Sequence, residues 1–317
     1  VKLFLFLTLL AGLAVVVLWK ARAHEARALA AFPPEGRLIE VNGHRVHAVI
    51  MGDGPDLVLI HGASGNTRDL TFDLAPRLAA RYRVIMLDRP GLGHTDRIDR
   101  DGASIIEQAA LLQAAAASLG AERPIVMGHS YGGAVALAWA VARPEQVAAL
   151  VILAGASHPW QSALPLEYRL LSHPVIGPLL APVLTAFVPD AYVERAVAGI
   201  FAPQVVPEGY IAHVGAALTL RRGTLRENAL QRAHLLAEIE ALYPHYPQIT
   251  APTEIVHGDR DTTVGLSIHA APLARDLPEA RLTVLPGVGH MPHHAAPDQV
   301  IAAIDRAAAR AGLHPAP

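Results

Sequence analysis

Three residues far apart in the chain carry the side chains of an acyl-transfer relay: the hydroxyl of Ser130, the imidazole of His290 and the carboxylate of Asp261. A serine hydroxyl is a poor nucleophile until a base takes its proton, and the base needs a carboxylate to hold it in one tautomer. Ser130 sits in Gly128-His129-Ser130-Tyr131-Gly132, between the apolar run 125–127 and an Ala-rich stretch with helical spacing. Strand, sharp turn and helix are what lift such a serine above a sheet edge, and the glycines permit a tight turn with close backbone packing. His290 follows the apolar run 282–285 through Pro286-Gly287-Val288-Gly289, which lets the chain turn back toward the nucleophile. Gly258-Asp259-Arg260-Asp261 follows the run 254–256 and offers two carboxylates. Asp261, further out on the loop, is the expected partner of the imidazole; Asp259 reads as a turn or arginine partner. The end of the preceding run, Ala154-Gly155-Ala156, supplies no competing carboxylate. An oxyanion needs two convergent N–H donors, and the backbone amides of Ala63 and Tyr131 are the candidates. Ala63 lies in His61-Gly62-Ala63-Ser64-Gly65, directly after the apolar run 57–60. His61 and His129 are expected to pack or bond beside the turns, and Ser64 offers a spare hydroxyl.

These residues must be positioned by regular elements. Short apolar runs at 38–41, 46–50, 57–60, 84–87, 125–127, 149–153, 254–256 and 282–285 read as strands, the first two joined at Asn42-Gly43. Stretches with helical period lie between them, at 70–80, 105–119, 134–142, 267–276 and 299–309. Such alternation predicts a mostly parallel sheet covered by helices on both faces. From 157 to 249 no buried strand is evident, and helix-like spacing recurs at 164–171, 179–187, 192–200 and 225–242. The segment is too apolar for a mobile loop and predicts a helical cap inserted into a core of residues 37–156 and 250–312.

Composition narrows the function classes. With 52% hydrophobic and 17% charged residues in 317, the chain can build a large core and is no disordered tail. A formal net charge of −2 supplies no basic field, which argues against a nucleic-acid partner. The absence of cysteine excludes disulfides, thiolate metal sites and a cysteine nucleophile. Residues 3–18 are uncharged and apolar apart from a few small or polar positions, with Lys2 before them and Trp19, Lys20 and Arg22 after. Residues 1–20 therefore fit a membrane anchor, the Trp-Lys edge marking the interface, or alternatively a signal segment removed on export. Residues 21–36, Ala- and Arg-rich and ending in Pro33-Pro34-Glu35-Gly36, read as a short helical spacer and a linker.

Taken together, His61-Gly62, Asp88-Arg89-Pro90-Gly91-Leu92-Gly93, Gly128-His129-Ser130-Tyr131-Gly132-Gly133, Gly258-Asp259-Arg260-Asp261 and Gly289-His290 resemble the α/β-hydrolase family in its capped form. The resemblance spans residues 37 to 310 and implies an eight-stranded, mostly parallel sheet and the chain order Ser, Asp, His. Asp88–Gly93 is then a structural loop near the site, with Thr95 where the family commonly has serine. Haloalkane dehalogenases and epoxide hydrolases of this fold use an aspartate where this chain has Ser130, so Tyr168 and Tyr210 of the cap are expected in core or pocket lining. The implied activity is hydrolysis of a small or lipid carboxylic ester through an acyl-enzyme, without metal or organic cofactor. Carbon–carbon bond hydrolysis and cofactor-free perhydrolase chemistry use the same triad; a non-catalytic binding protein of this fold is the reading from another class. His293 and His294 lie close to His290, but no carboxylate joins them at a ligand spacing. They read as the solvated start of the last helix, and Arg221-Arg222 as a solvated pair.

Overall fold

The structure is a computed structural model that describes residues 1–313. Its centre is one sheet of eight strands in the order β1-β2-β4-β3-β5-β6-β7-β8. The strands are β1 (Arg37–Val41), β2 (His44–Met51), β3 (Asp56–Ile60), β4 (Arg83–Leu87), β5 (Ile125–His129), β6 (Ala149–Leu153), β7 (Thr253–Gly258) and β8 (Ala280–Leu285). Asn42 and Gly43, both at positive φ (52° and 80°), make the tight turn of the β1–β2 hairpin. β2 runs antiparallel to β1 and β4, and all other pairings are parallel. Parallel strands covered on both faces bury every side chain, which is why β5 and β6 are buried throughout. Helices Ile105–Ser118, Tyr131–Ala142 and Ala270–Asp276 close one face; Leu74–Leu78 and Pro297–Arg310 close the other.

Each expected strand is present within two residues at either end. The expected helix over 70–80 instead forms two short ones, Thr67–Thr71 and Leu74–Leu78. Pro76 explains the break: it has no N–H to give the Phe72 carbonyl, and its ring crowds that oxygen. Between β6 and β7 the chain forms six α-helices, of which Ile176–Phe187, Asp190–Phe201 and Arg222–Leu242 are the longest.

The N-terminal segment forms a single helix, Lys2–Ala31, long and apolar enough to cross a membrane, with 0% of its most apolar stretch buried. The spacer expected from residue 21 is its continuation, as Ala-rich sequence favours. This second half is docked: Ala21 and Ala28 are buried. Glu25 accepts hydrogen bonds from Arg222 Nε at 2.8 Å and Nη2 at 2.6 Å. Arg221 donates to the carbonyls of Gly93 and Leu218. The arginine pair is therefore a structural tie between elements and not a solvated patch.

Candidate active site

Ser130 caps the start of helix Tyr131–Ala142 at φ 54°, ψ −118°, a left-handed conformation that a serine adopts only when its surroundings enforce it. They do so through the backbone: Ser130 N–H donates to Leu153 O of β6, and Ser130 O accepts from Gly133 and Ala156 N–H. The flanking glycines are there for space. A Cβ on Gly128 would lie 2.1 Å from Gly132 O, and one on Gly132 would lie 2.4 Å from Ile60 O.

At the carboxyl edge of the sheet, loops after β5, β7 and β8 bring Ser130, Asp261 and His290 into one row, all three buried. His290 Nδ1 is 2.7 Å from Asp261 Oδ2, and His290 Nε2 is 2.9 Å from Ser130 Oγ. A carboxylate only accepts, so the imidazole proton sits on Nδ1 and Nε2 is left to accept from the serine hydroxyl. Asp261 Oδ1 accepts from Thr263 and Val264 N–H at 2.8 and 2.9 Å. Burial alone would raise the Asp261 carboxyl; the adjacent His257 and the hydrogen bond from His290 outweigh it and hold the group well below the usual carboxylate range. Asp259 accepts from Gly287 N–H at 2.7 Å, the turn role expected of it.

Ala63 follows β3 and Tyr131 opens the helix after Ser130, so both backbone amides lie in the turns that meet at the serine. The two turns touch: a Cβ on Gly62 would lie 3.2 Å from Ser130 Cβ. His61 and His129 bond beside the turns, as expected. His61 Nδ1–H donates to Gly62 O and its Nε2 accepts from Arg89 N–H, while His129 Nε2–H donates to His290 O. Asp88 serves the neighbouring loop, accepting from Thr67 and His94 N–H and from His47.

Ser64 is claimed by the cap. Asn228 Oδ1 accepts from Ser64 N–H at 2.8 Å, Asn228 Nδ2 donates to Ser64 Oγ at 2.9 Å, and Thr219 donates to Ser64 O at 2.7 Å. A second tie reaches the loop before His290, where Gln204 donates to Gly287 O and accepts from Gly289 N–H.

His293 and His294 overturn the expectation of a solvated helix start. Both imidazoles are buried, and both bond Asp69: His293 Nε2 at 3.1 Å from Oδ2 and His294 Nε2 at 2.9 Å from Oδ1. Tyr210 of the cap donates to the same carboxylate at 2.7 Å. The carboxylate that local spacing lacks arrives from more than 200 residues away, as the His293–Asp69 separation of 224 shows. Ligand atoms of Asp69, His129 and His293 lie within 4.8 Å of one another, a proximity that could hold a metal. The three hydrogen bonds to Asp69 already account for its charge, so the cluster reads as a buried polar network. Sequence reasoning also missed His257, whose Nε2–H donates to Val264 O at 2.7 Å and stands 3.2 Å from Asp261 Oδ2. The signal was a histidine directly after the apolar pair Ile255-Val256, near the end of β7. Tyr210 is buried as expected, and half-buried Tyr168 stacks under the Arg232 guanidinium.

Strand order, elbow and cap define a class, and the sequence pattern described as "Alpha/beta hydrolase family" matches residues 57–303. The chain belongs to that family. Its similarity to particular proteins is broad. A 2-hydroxy-6-oxononadienedioate/2-hydroxy-6-oxononatrienedioate hydrolase of Comamonas testosteroni is 25% identical over 260 residues, covering 79% of this chain and 86% of the relative. A thermophilic esterase from Thermogutta terrifontis superposes with a TM-score of 0.70 at 20% identity, covering 87% and 99% of the two chains. A membrane phospholipase A, a bacterial virulence factor, superposes with a TM-score of 0.65 at 23% identity, covering 96% and 98%.

Proposed function

We propose that this protein is a serine esterase that acts on a hydrophobic carboxylic ester from a membrane-anchored position. The observation that carries the reading is the unbroken row Asp261–His290–Ser130, with separations of 2.7 and 2.9 Å. On this reading Ser130 Oγ attacks the ester carbonyl carbon while His290 Nε2 takes its proton, and ionised Asp261 stabilises the imidazolium. The amides of Ala63 and Tyr131 hold the oxyanion, each worth about 3 kcal/mol to the transition state. His290 returns the proton to the departing alcohol, leaving an acyl-enzyme. It then activates water, which releases the acid and restores Ser130.

A serine at the elbow fits acyl transfer and not the carboxylate-displacement chemistry of the family's dehalogenases. The uninterrupted helix favours an uncleaved anchor over a signal segment, since Ala21, at the small-residue stretch where cleavage would fall, is buried. The N-terminal helix and the apolar cap together favour a lipid or long-chain ester. The test is labelling by a fluorophosphonate, followed by a panel of p-nitrophenyl esters, dienoic ring-cleavage products, and acetate with peroxide. Ser130→Ala should abolish labelling and lower ester turnover by at least about 10³-fold. Unchanged ester hydrolysis in that variant refutes the assignment. Turnover of the dienoic ketone alone would move the chemistry to carbon–carbon cleavage.

A further inference from the structure

The cap helix Ile176–Phe187 has an outer side unlike that of a water-facing helix. Between Pro174 and Pro189 the sequence carries no charged residue. Gly177, Ala181 and Thr185 face inward and are buried, and Thr185 ties the helix to the cap by donating to Leu220 O. Val175, Leu179, Val183 and Phe187 recur every fourth residue, the spacing that forms one ridge along a helix. All four are exposed, Leu179 at 70% and Val175 at 64%. A surface helix in water normally sets charged and polar residues on that side, as the next cap helix does with Asp190, Glu194 and Arg195.

Its location says what covers the ridge. The same helix packs beside the N-terminal helix where the apolar run of the latter ends. Leu18 shares a groove with Pro178, Ala181 and Pro182, and the Lys20 ammonium stands 4.3 Å from the Phe187 ring centroid. Trp19, Lys20 and Arg22 are the residue types that sit at headgroup level when a helix leaves a bilayer. A bilayer that contains residues 3–18 therefore reaches the level of the cap helix without further movement of the chain.

We propose that helix Ile176–Phe187 is a second membrane contact, lying in the lipid interface with its Val175–Leu179–Val183–Phe187 ridge among the acyl chains. This rests on the anchor reading above and extends it. The anchor tethers the molecule, whereas the ridge fixes its orientation. The cap that clamps the Ser64 and His290 loops is thereby held against the bilayer, and the substrate is an ester residing in that bilayer.

The chain has no cysteine, so single cysteines at Leu179, Val183, Leu10 and Glu145 can each carry a nitrobenzoxadiazole label in the full chain. The labelled proteins are reconstituted in phosphatidylcholine–phosphatidylglycerol vesicles, with and without nitroxide-bearing lipid. Labels at Leu10, Leu179 and Val183 should lose at least half their emission to the nitroxide, and the label at Glu145 should not. Quenching at Leu10 with Leu179 and Val183 behaving like Glu145 overturns the proposal and leaves the anchor standing. A Leu179 label shielded from water yet unquenched by lipid places protein there, a second copy included, and also overturns it. No quenching at Leu10 removes the anchor reading and this proposal together. In parallel, Leu179→Glu/Val183→Glu should slow hydrolysis of a vesicle-borne ester at least fivefold while sparing a short soluble p-nitrophenyl ester. Equal rates on both substrates relative to the unaltered chain would count against it.

Discussion

At the scale of single residues, the site is decided by which atoms can only accept. Asp261 has two carboxylate oxygens and four N–H groups near them, from Thr263, Val264, His290 and His257. Those donors keep it ionised in a buried place, and its charge fixes the proton of His290 on Nδ1. Asp261→Asn keeps the shape but offers an amide N–H or a weaker acceptor to the imidazole, which then presents the wrong tautomer to Ser130. The expected outcome is a loss of about 10⁴-fold in kcat with little change in KM. Steady-state kinetics with a p-nitrophenyl ester check it, with circular dichroism to confirm the fold. A loss below tenfold would remove Asp261 from the relay. The same logic shows what local sequence cannot reveal. His257 and Asp69 reach the site's surroundings through contacts set by the fold, and neither stands in a motif that signals a partner.

At the scale of elements, strands were legible because each central strand is buried on both faces and must read as an apolar run. Ser130, Asp261 and His290 were legible for a related reason: each follows such a run at the same edge of the sheet. The cap was legible as a strand-free segment with helical spacing, and its main helices fall where that spacing put them, but their placement over the site was not legible. Its helices owe their positions to side chains whose partners lie far away in the chain, such as Asn228 on Ser64 and Gln204 on Gly287 and Gly289. Those ties couple the cap to two of the site's loops, the one after β3 and the one after β8. Because Ser64 stands next to Ala63 at φ 57°, a conformation needing support, Asn228 is placed to hold the turn that carries the proposed oxyanion amide. Asn228→Ala should lower kcat about ten- to hundredfold while KM stays within about twofold, since a small displacement of a donor is costly only in the transition state. Asn228→Asp retains the acceptor for Ser64 N–H and should recover much of the loss. A variant that raises KM alone would make Asn228 a substrate contact instead.

At the scale of the whole molecule, the buried imidazoles make stability depend on pH in a window set by histidine and not by carboxylates. Burial, together with the nearby Arg89 charge, lowers His61 to about 4; burial, with His257 and His158 close by, lowers His269 to about 4. The geometry gives the reason. His61 Nε2 accepts Arg89 N–H, and His269 Nδ1 accepts the N–H groups of Ser157 and His158, so a further proton would set donor against donor. His129 and His293 are also lowered, first by burial, and each has a buried Nδ1 that a proton would turn into an unmatched donor. In the unfolded chain these groups protonate near pH ~6.5. Between that value and about 4 the unfolded state binds more protons, so stability falls as pH falls, by about 1.4 kcal/mol per pH unit for each imidazole that stays neutral in the fold. Asp69 and Asp261 are depressed in the fold, so what they contribute persists down to roughly pH 4 and is lost only below it. The unfolding temperature of the full chain in detergent should therefore drop by at least about 5 °C between pH 7 and pH 5, an interval in which Asp69 and Asp261 stay ionised. A flat profile over that interval would mean the imidazoles are charged in the folded protein, which the acceptor roles of His61 and His269 do not allow.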